Sequence, residues 1–212
     1  FMTNNWLISY PKSGSNFIRY CIEFLTGCPT EGRTKLYAAQ IRGRRPVPVV
    51  LNRRHGIQGL SLKGDDKVCI LLRDYKELYY RPRTDGSLGA GNLEEIASLF
   101  NEFLTFYRRC PCRKRIIYYE DIISRFDDIE VLLTGFYDLK LINDLEEFKA
   151  TITYHREQSL TQGNLYQSDA RSSTYYQDKV SLEKLRTLDE EFEEALGANY
   201  KFVERYRIGY AK

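Results

Sequence analysis

The chain has 212 residues, of which 42% are hydrophobic and 29% are charged, and its formal net charge is +3. This length allows one well-packed domain, and we predict a single domain over residues 2–212. The small net charge does not favour nucleic acid or a membrane surface as a partner. No apolar run in the sequence reaches the roughly 18 residues of a membrane span.

The five cysteines are an odd number, and two of them, Cys21 and Cys69, lie in apolar segments. This pattern predicts reduced thiols and a cytoplasmic location. Cys110 and Cys112 flank a proline, but no second pair of cysteines or histidines stands at the spacing of a zinc site. We therefore predict no bound metal.

Four short apolar runs predict strands at residues 6–10, 47–51, 68–72 and 116–119. Helical patterns come between or after them: one ends at Thr26, and the others cover residues 93–108, 128–136, 145–154 and 182–196. This alternation predicts an α/β domain with a mostly parallel central sheet flanked by helices. Ligands of such sheets bind beyond the carboxyl ends of the strands. Two polar stretches, 82–92 and 158–176, are interpreted as connections and as candidates for a ligand lid.

The segment between the first strand and the first helix has the composition of an anion-binding loop. Lys12, Ser13 and Ser15 supply a cation and two hydroxyl groups, and Gly14 permits a tight turn. The helix that follows points its unpaired N–H groups at whatever lies above the loop. The loop is P-loop-like in position, but Lys12 precedes its glycine by two residues, which is not Walker A spacing. A nucleoside triphosphatase is therefore disfavoured.

Residues 10–20, YPKSGSNFIRY, resemble the 5′-phosphosulfate-binding loop of sulfotransferases that use 3′-phosphoadenosine 5′-phosphosulfate (PAPS). The usual form of that loop is close to YPKSGTTW. The resemblance implies that PAPS is the co-substrate and that adenosine 3′,5′-bisphosphate (PAP) is the product. It also implies that the loop holds the donor through Lys12, Ser13, Gly14, Ser15, Asn16 and Phe17.

His55 follows the second predicted strand, and histidine can act as a neutral base near pH 7. By residue type alone, a lone histidine is more often a surface or capping residue. Sulfotransferases of the cytosolic type carry Lys-Thr-His at this place, so the resemblance implies that His55 is the base and that Arg53 replaces the lysine. His155 has no motif around it and is interpreted as structural.

The resemblance also implies residues for the 3′-phosphate of the donor. Arg73, after the third strand, matches an arginine that binds this phosphate in the family, and Arg81 stands where the family has a serine. The family's C-terminal Arg-Lys-Gly segment is absent from this sequence. Arg171 and Ser172 are its best substitute by chemistry and order.

Residues 119–121, Tyr-Glu-Asp, are similar to a segment that many sulfotransferases have after the fourth strand. Acidic residues commonly begin a helix after a strand, so this similarity carries little weight alone.

The leading hypothesis is a sulfotransferase that acts by in-line displacement on a hydroxyl or amine of a small-molecule or saccharide acceptor. His55 would deprotonate the acceptor, while Lys12 and Arg53 would stabilise the transferring and leaving oxygens. Two alternatives stay open: a magnesium-dependent phosphotransferase that uses a nucleotide, and a nucleotide-binding module without catalysis. The sequence predicts neither the acceptor nor the oligomeric state.

Overall fold

A computed structural model describes residues 5–11, 13–31, 49–80, 92–155, 176 and 179–210. Its strands form one parallel sheet in the order β2-β1-β3-β4. They are β1 Asn5–Ser9, β2 Asn52–Arg54, β3 Lys67–Leu72 and β4 Arg113–Tyr118. The α-helices with described bounds are α1 Ser15–Thr26, α2 Tyr75–Tyr80, α3 Leu93–Arg109, α4 Tyr119–Ser124, α5 Asp127–Glu130, α6 Leu145–Ala150 and α7 Leu182–Leu196. The predicted α/β fold with a parallel sheet flanked by helices is confirmed, and the single domain over residues 2–212 stays a prediction.

The alternation of side chains along the strands divides the core between the two faces of the sheet. Leu7 and Leu71 belong to the cluster on the face that α1 covers. Ile8 and Ile70 belong to the cluster on the other face, under the long helices α3 and α7. Every residue of β3 is buried, because this strand lies between two neighbours and is covered on both faces. This explains the continuous apolar run in its sequence.

The second strand does not lie where the hydrophobic pattern placed it. We predicted a strand at 47–51, but the paired residues are Asn52–Arg54. Leu51 makes only an isolated bridge with Thr30, and Val49 is 46% exposed. β2 is the outermost strand of the described sheet, so its pairing with β1 does not require an apolar run.

Helix boundaries agree with the sequence where a cap defines them. Asn92 accepts a hydrogen bond from the Glu95 amide at the start of α3, and Ser181 caps α7. The helix predicted at 128–136 is interrupted, because Val131–Phe136 is a π-helical turn. The helix predicted at 145–154 ends at Ala150, and residues 152–155 are helical again. Two 3-10 helices, Gly197–Phe202 and Glu204–Tyr206, follow α7.

The prediction of reduced cysteines is wrong for one pair. Cys110 and Cys112 form a disulfide where the chain passes from α3 to β4, because this connection brings their Cα atoms to 5.5 Å. Cys21, Cys28 and Cys69 are free. The cytoplasmic location stays a prediction. Among the described helices, none is long and apolar enough to cross a membrane.

Asp189 on α7 is a buried carboxylate that connects α2 to the residues after α7, 197–210, which we call the C-terminal segment. Its Oδ1 accepts hydrogen bonds from Lys76 Nζ, at 2.7 Å, and from the Tyr75 hydroxyl. Its Oδ2 accepts a hydrogen bond from the Ile208 amide at 2.8 Å, and Lys76 Nζ also donates to the Tyr206 carbonyl. The side chains of Lys76 and Asp189 are 0% and 2% exposed, so neither charge has water as an alternative partner.

We expect Asp189→Ala to lower the free energy of unfolding by about 3–5 kcal/mol, because it removes the nearer of the two described carboxylates beside the buried Lys76 ammonium and leaves the more distant Asp74 Oδ1, at 3.7 Å. Chemical denaturation followed by circular dichroism measures this change. Glu190→Ala is the matched control, since Glu190 is the exposed neighbour on the same helix. Its effect should stay within about 0.5 kcal/mol. Equal effects of the two substitutions would contradict a supporting role for the buried pair.

Candidate active site

The candidate site lies at the edge of the sheet where the parallel strands end. The loop that begins α1 follows β1, His55 follows β2, Arg73 follows β3 and Tyr119 follows β4. The register aligns these ends, since Ser9 pairs with Leu71 and Leu72 pairs with Tyr118. The structure therefore brings the predicted loop, histidine and arginine to one edge.

The loop places the start of α1 in a geometry that suits an anion. The Ser13 amide donates a hydrogen bond to the Tyr10 carbonyl at 3.1 Å, which closes a turn. Gly14 caps α1 in the left-handed conformation, with φ 91°, and its carbonyl accepts a hydrogen bond from the Phe17 amide at 3.0 Å. Among the described residues, no side chain caps this helix, so its first-turn N–H groups keep their capacity to bind an anion.

Two features require glycine at position 14: the backbone has a positive φ, and there is no space for a side chain. A Cβ atom at this position would lie 2.3 Å from two ring carbons of Tyr119. A positive φ is already unfavourable for a residue with a side chain. The ring of Tyr119 therefore packs directly on the backbone of the loop.

Ser13 contributes a hydroxyl group that needs a partner. The residue is 0% exposed, and its Oγ has no hydrogen-bond partner among the described residues. Such a buried group costs about 1–3 kcal/mol of stability. A ligand whose oxygen accepts this hydrogen bond would remove that cost, so the loop fits the phosphosulfate that the resemblance implies.

Arg53 on β2 contacts the first turn of α1. Its Nη1 lies 3.3 Å from Ser15 Oγ and 3.5 Å from Asn16 Oδ1, and it donates to both. Arg19 Nη1 donates to the same Asn16 oxygen at 3.2 Å, so two guanidinium groups converge on one amide. Burial and the charge of Arg53 lower the pKa of Arg19 to about 10, which leaves Arg19 protonated near neutral pH.

Hydrogen bonding determines the proton position on His55. Nδ1 lies 2.9 Å from the Ser9 carbonyl oxygen, which can only accept, so Nδ1 carries the proton. Nε2 is then the unprotonated nitrogen that can accept a proton from a substrate. Burial and then the charge of Arg53 lower the pKa of His55 below its ordinary value of 6.5, although the Ser9 carbonyl opposes this. His55 is therefore neutral at pH 7.

Arg73 is held between a ring and a carboxylate. Its guanidinium carbon lies 4.5 Å from the ring centroid of Tyr119, and its Nη2 lies 3.6 Å from Glu77 Oε2. Arg73 is 5% exposed and Glu77 is 1% exposed. This packing places a cation at the end of β3 and restricts how it can move.

Residues 119–121 carry little weight as a sequence motif alone, but each of them contacts other residues at this edge of the sheet. Tyr119 contacts both the loop and Arg73, and Glu120 Oε1 accepts a hydrogen bond from the Asp74 amide at 3.1 Å. Asp121 binds the Arg205 guanidinium through two hydrogen bonds of 2.6 and 2.7 Å. The similarity of this segment to sulfotransferases was the signal that could have identified these roles.

Other predicted residues lie outside the described part of the chain or away from the edge. Lys12, Arg81, Arg171 and Ser172 lie outside the described residues, as do nearly all residues of the two candidate lid segments. His155, interpreted from the sequence as structural, is 5% exposed, and its Nδ1 lies 3.0 Å from the Tyr20 hydroxyl. Within the described ranges, no group of three or more His, Cys, Asp or Glu residues could hold a metal ion.

The fold is similar to that of the mouse sulfotransferase SULT7A1, whose crystal structure contains PAP. The TM-score is 0.58, with 15% sequence identity, and the match covers 97% of this chain and 90% of the mouse chain. No protein-family model and no curated protein matches the sequence. The likeness confirms the sulfotransferase fold that the loop sequence implied.

We expect Gly14→Ala to lower the free energy of unfolding by about 2–5 kcal/mol, because it adds a clash with Tyr119 to the strain of a positive φ. Gly59→Ala is the matched control: Gly59 has a φ of +69°, but an added Cβ would meet nothing within 4 Å. It should cost only the strain, about 1–2 kcal/mol. Urea denaturation of both variants measures the difference, and equal losses would mean that the ring does not restrict Gly14.

Proposed function

We propose that this protein is a PAPS-dependent sulfotransferase that transfers a sulfuryl group to a hydroxyl or amine of a small-molecule or saccharide acceptor. One observation carries the proposal: Arg53 binds the uncapped first turn of α1, while His55 presents an unprotonated Nε2 two residues later. An anion-binding helix start beside a neutral base suits transfer of an anionic group to a nucleophile that must lose a proton.

The protein would bind the donor at two places, its 5′-phosphosulfate and its 3′-phosphate. The amides of the first turn of α1, with Ser13, Ser15, Asn16 and Phe17, would bind the 5′-phosphosulfate above Gly14. Arg73 would bind the 3′-phosphate. By the resemblance, the further donor contacts are Lys12, Arg81, Arg171 and Ser172.

Each residue in the reaction has one task. Nε2 of His55 takes the proton of the acceptor hydroxyl or amine as that atom forms its bond to sulfur. PAPS supplies the sulfuryl group, and its bond from sulfur to the bridging phosphate oxygen breaks, which leaves PAP. Lys12 and Arg53 provide positive charge at the oxygens where negative charge accumulates. The scheme draws this charge from side chains and requires no metal.

Transfer is tested by mixing the purified protein with PAPS and a panel of phenols, alcohols, amines and sugars, with PAP formation as the readout. We expect PAP to form only with some acceptors, and His55→Gln to lower kcat by about 10²–10⁴-fold while PAP binding changes little. Glutamine keeps an N–H that can donate to Ser9, so it is a conservative replacement. Unimpaired transfer in folded His55→Gln or Lys12→Ala variants would contradict the mechanism.

The same experiment separates the alternatives. Tight PAP binding without turnover on the whole panel would favour a nucleotide-binding module. A magnesium-dependent thermal shift with ATP, and none with PAP, would favour a phosphotransferase.

The pH dependence of kcat/KM tests the base. Activity should fall as the pH drops through the pKa of His55, which lies below 6.5, because only the neutral imidazole accepts a proton. Arg53 is a cation that lowers this pKa, so Arg53→Met should move the acidic limb of the profile to higher pH, whatever its effect on kcat. Arg54→Met is the control and should leave the limb in place, since Arg54 is exposed and lies over Trp6. A limb that does not move in Arg53→Met would exclude His55 as the titrating group.

A further inference from the structure

One aromatic ring lies between the two halves of the proposed donor site. The ring of Tyr119 occupies the space where a Cβ of Gly14 would stand, and the guanidinium carbon of Arg73 lies 4.5 Å from its centroid. Gly14 belongs to the loop proposed for the 5′-phosphosulfate, and Arg73 is the residue proposed for the 3′-phosphate. The ring is thus in contact with both.

The position of this ring is determined by the sheet and by the helix it begins. Tyr118, the last residue of β4, pairs with Leu72, so Tyr119 is level with Arg73 in the parallel register. Tyr119 is 6% exposed, and its contacts with Gly14 and Arg73 are made by the ring.

The rest of α4 prevents the ring from moving aside. Glu120 accepts hydrogen bonds from the Asp74 amide at 3.1 Å and from the Tyr206 hydroxyl at 2.6 Å. Asp121 is bound by both terminal nitrogens of Arg205. These contacts attach the first turn of α4 to the start of α2 and to the C-terminal segment.

The contact with the ring also restricts where the Arg73 guanidinium can lie. A guanidinium carries several N–H donors, so a cation held over a ring can still donate to a phosphate. The ring face attracts the positive charge, and this attraction is strongest where water is excluded. Because the same ring also packs on Gly14, a displacement of the ring would change the position of Arg73 relative to the loop.

We propose that Tyr119 is a positioning residue that sets the separation between the loop and Arg73, and thereby selects nucleotides that carry both a 5′- and a 3′-phosphate. This inference rests on the proposed function. It predicts that the loss of the ring weakens the contribution of the 3′-phosphate to binding more than that of the 5′-phosphate.

Isothermal titration with PAP and with adenosine 5′-phosphate tests the proposal, because the two ligands differ only in the 3′-phosphate. We expect Tyr119→Met, which keeps apolar volume without a ring, to reduce the ratio of the two affinities by about tenfold. Tyr119→Phe keeps the ring that contacts Gly14 and Arg73 and should keep the ratio within about twofold. Should Tyr119→Met not fold, Tyr119→Leu replaces it, because leucine also lacks a ring, and the criterion is the same.

Tyr107→Met is the matched control for the loss of a half-buried tyrosine ring. Tyr107 contacts Phe202 near the end of α3, which leads into the start of β4 at the opposite edge of the sheet. This substitution should lower the melting temperature and leave the ratio unchanged. In the background of Arg73→Lys, Tyr119→Met should have little further effect on the ratio, because the ring acts through Arg73.

The outcomes distinguish the inference from the function it rests on. Suppose that the wild-type protein binds PAP and that Tyr119→Met loses equal affinity for PAP and for adenosine 5′-phosphate. That result would overturn the inference alone and would mean that the ring only supports the loop. A wild-type protein that binds neither ligand would overturn the proposed function and the inference together. If Tyr119→Met reduces the ratio of the two affinities equally in the wild-type and in the Arg73→Lys background, the ring does not act through Arg73.

Discussion

The site depends on how closely the start of α1 approaches the first residue of α4. Gly14 has no side chain, and the ring of Tyr119 fills the space where one would stand. Both residues follow strands of one sheet, so the parallel pairing of β1, β3 and β4 brings them together. The close contact takes the place of a side-chain cap and leaves the first-turn N–H groups of α1 available.

The same positive charges affect both the proposed anion site and the pKa of His55. Arg53 and Arg19 converge on Asn16 at the start of α1, where an anionic donor would bind. Burial lowers the pKa of His55, and the charges of these guanidinium groups lower it further, although the Ser9 carbonyl opposes the change. An arrangement of charge that would attract an anion thus also favours the neutral form of the neighbouring histidine.

The sequence predicted the parts of the fold and of the site that local patterns determine. The loop, the buried strand β3 and the caps of α3 and α7 follow from the residues that form them. The position of β2 could not be predicted, because an outer strand is defined by its pairing with β1 rather than by its hydrophobicity. The disulfide of Cys110 with Cys112 depends on the path between α3 and β4, and the role of Glu120 depends on Tyr206, which is distant in sequence.

The contacts of the C-terminal segment bear on the order in which the protein is assembled during synthesis. Tyr206 and Ile208 bind residues that hold the starts of α2 and α4, through Lys76, Glu120 and Asp189. The strands and the loop are all synthesised before this segment leaves the ribosome. The nascent chain can therefore pair its sheet while the edge that carries the site still lacks the contacts that Tyr206 and Ile208 make.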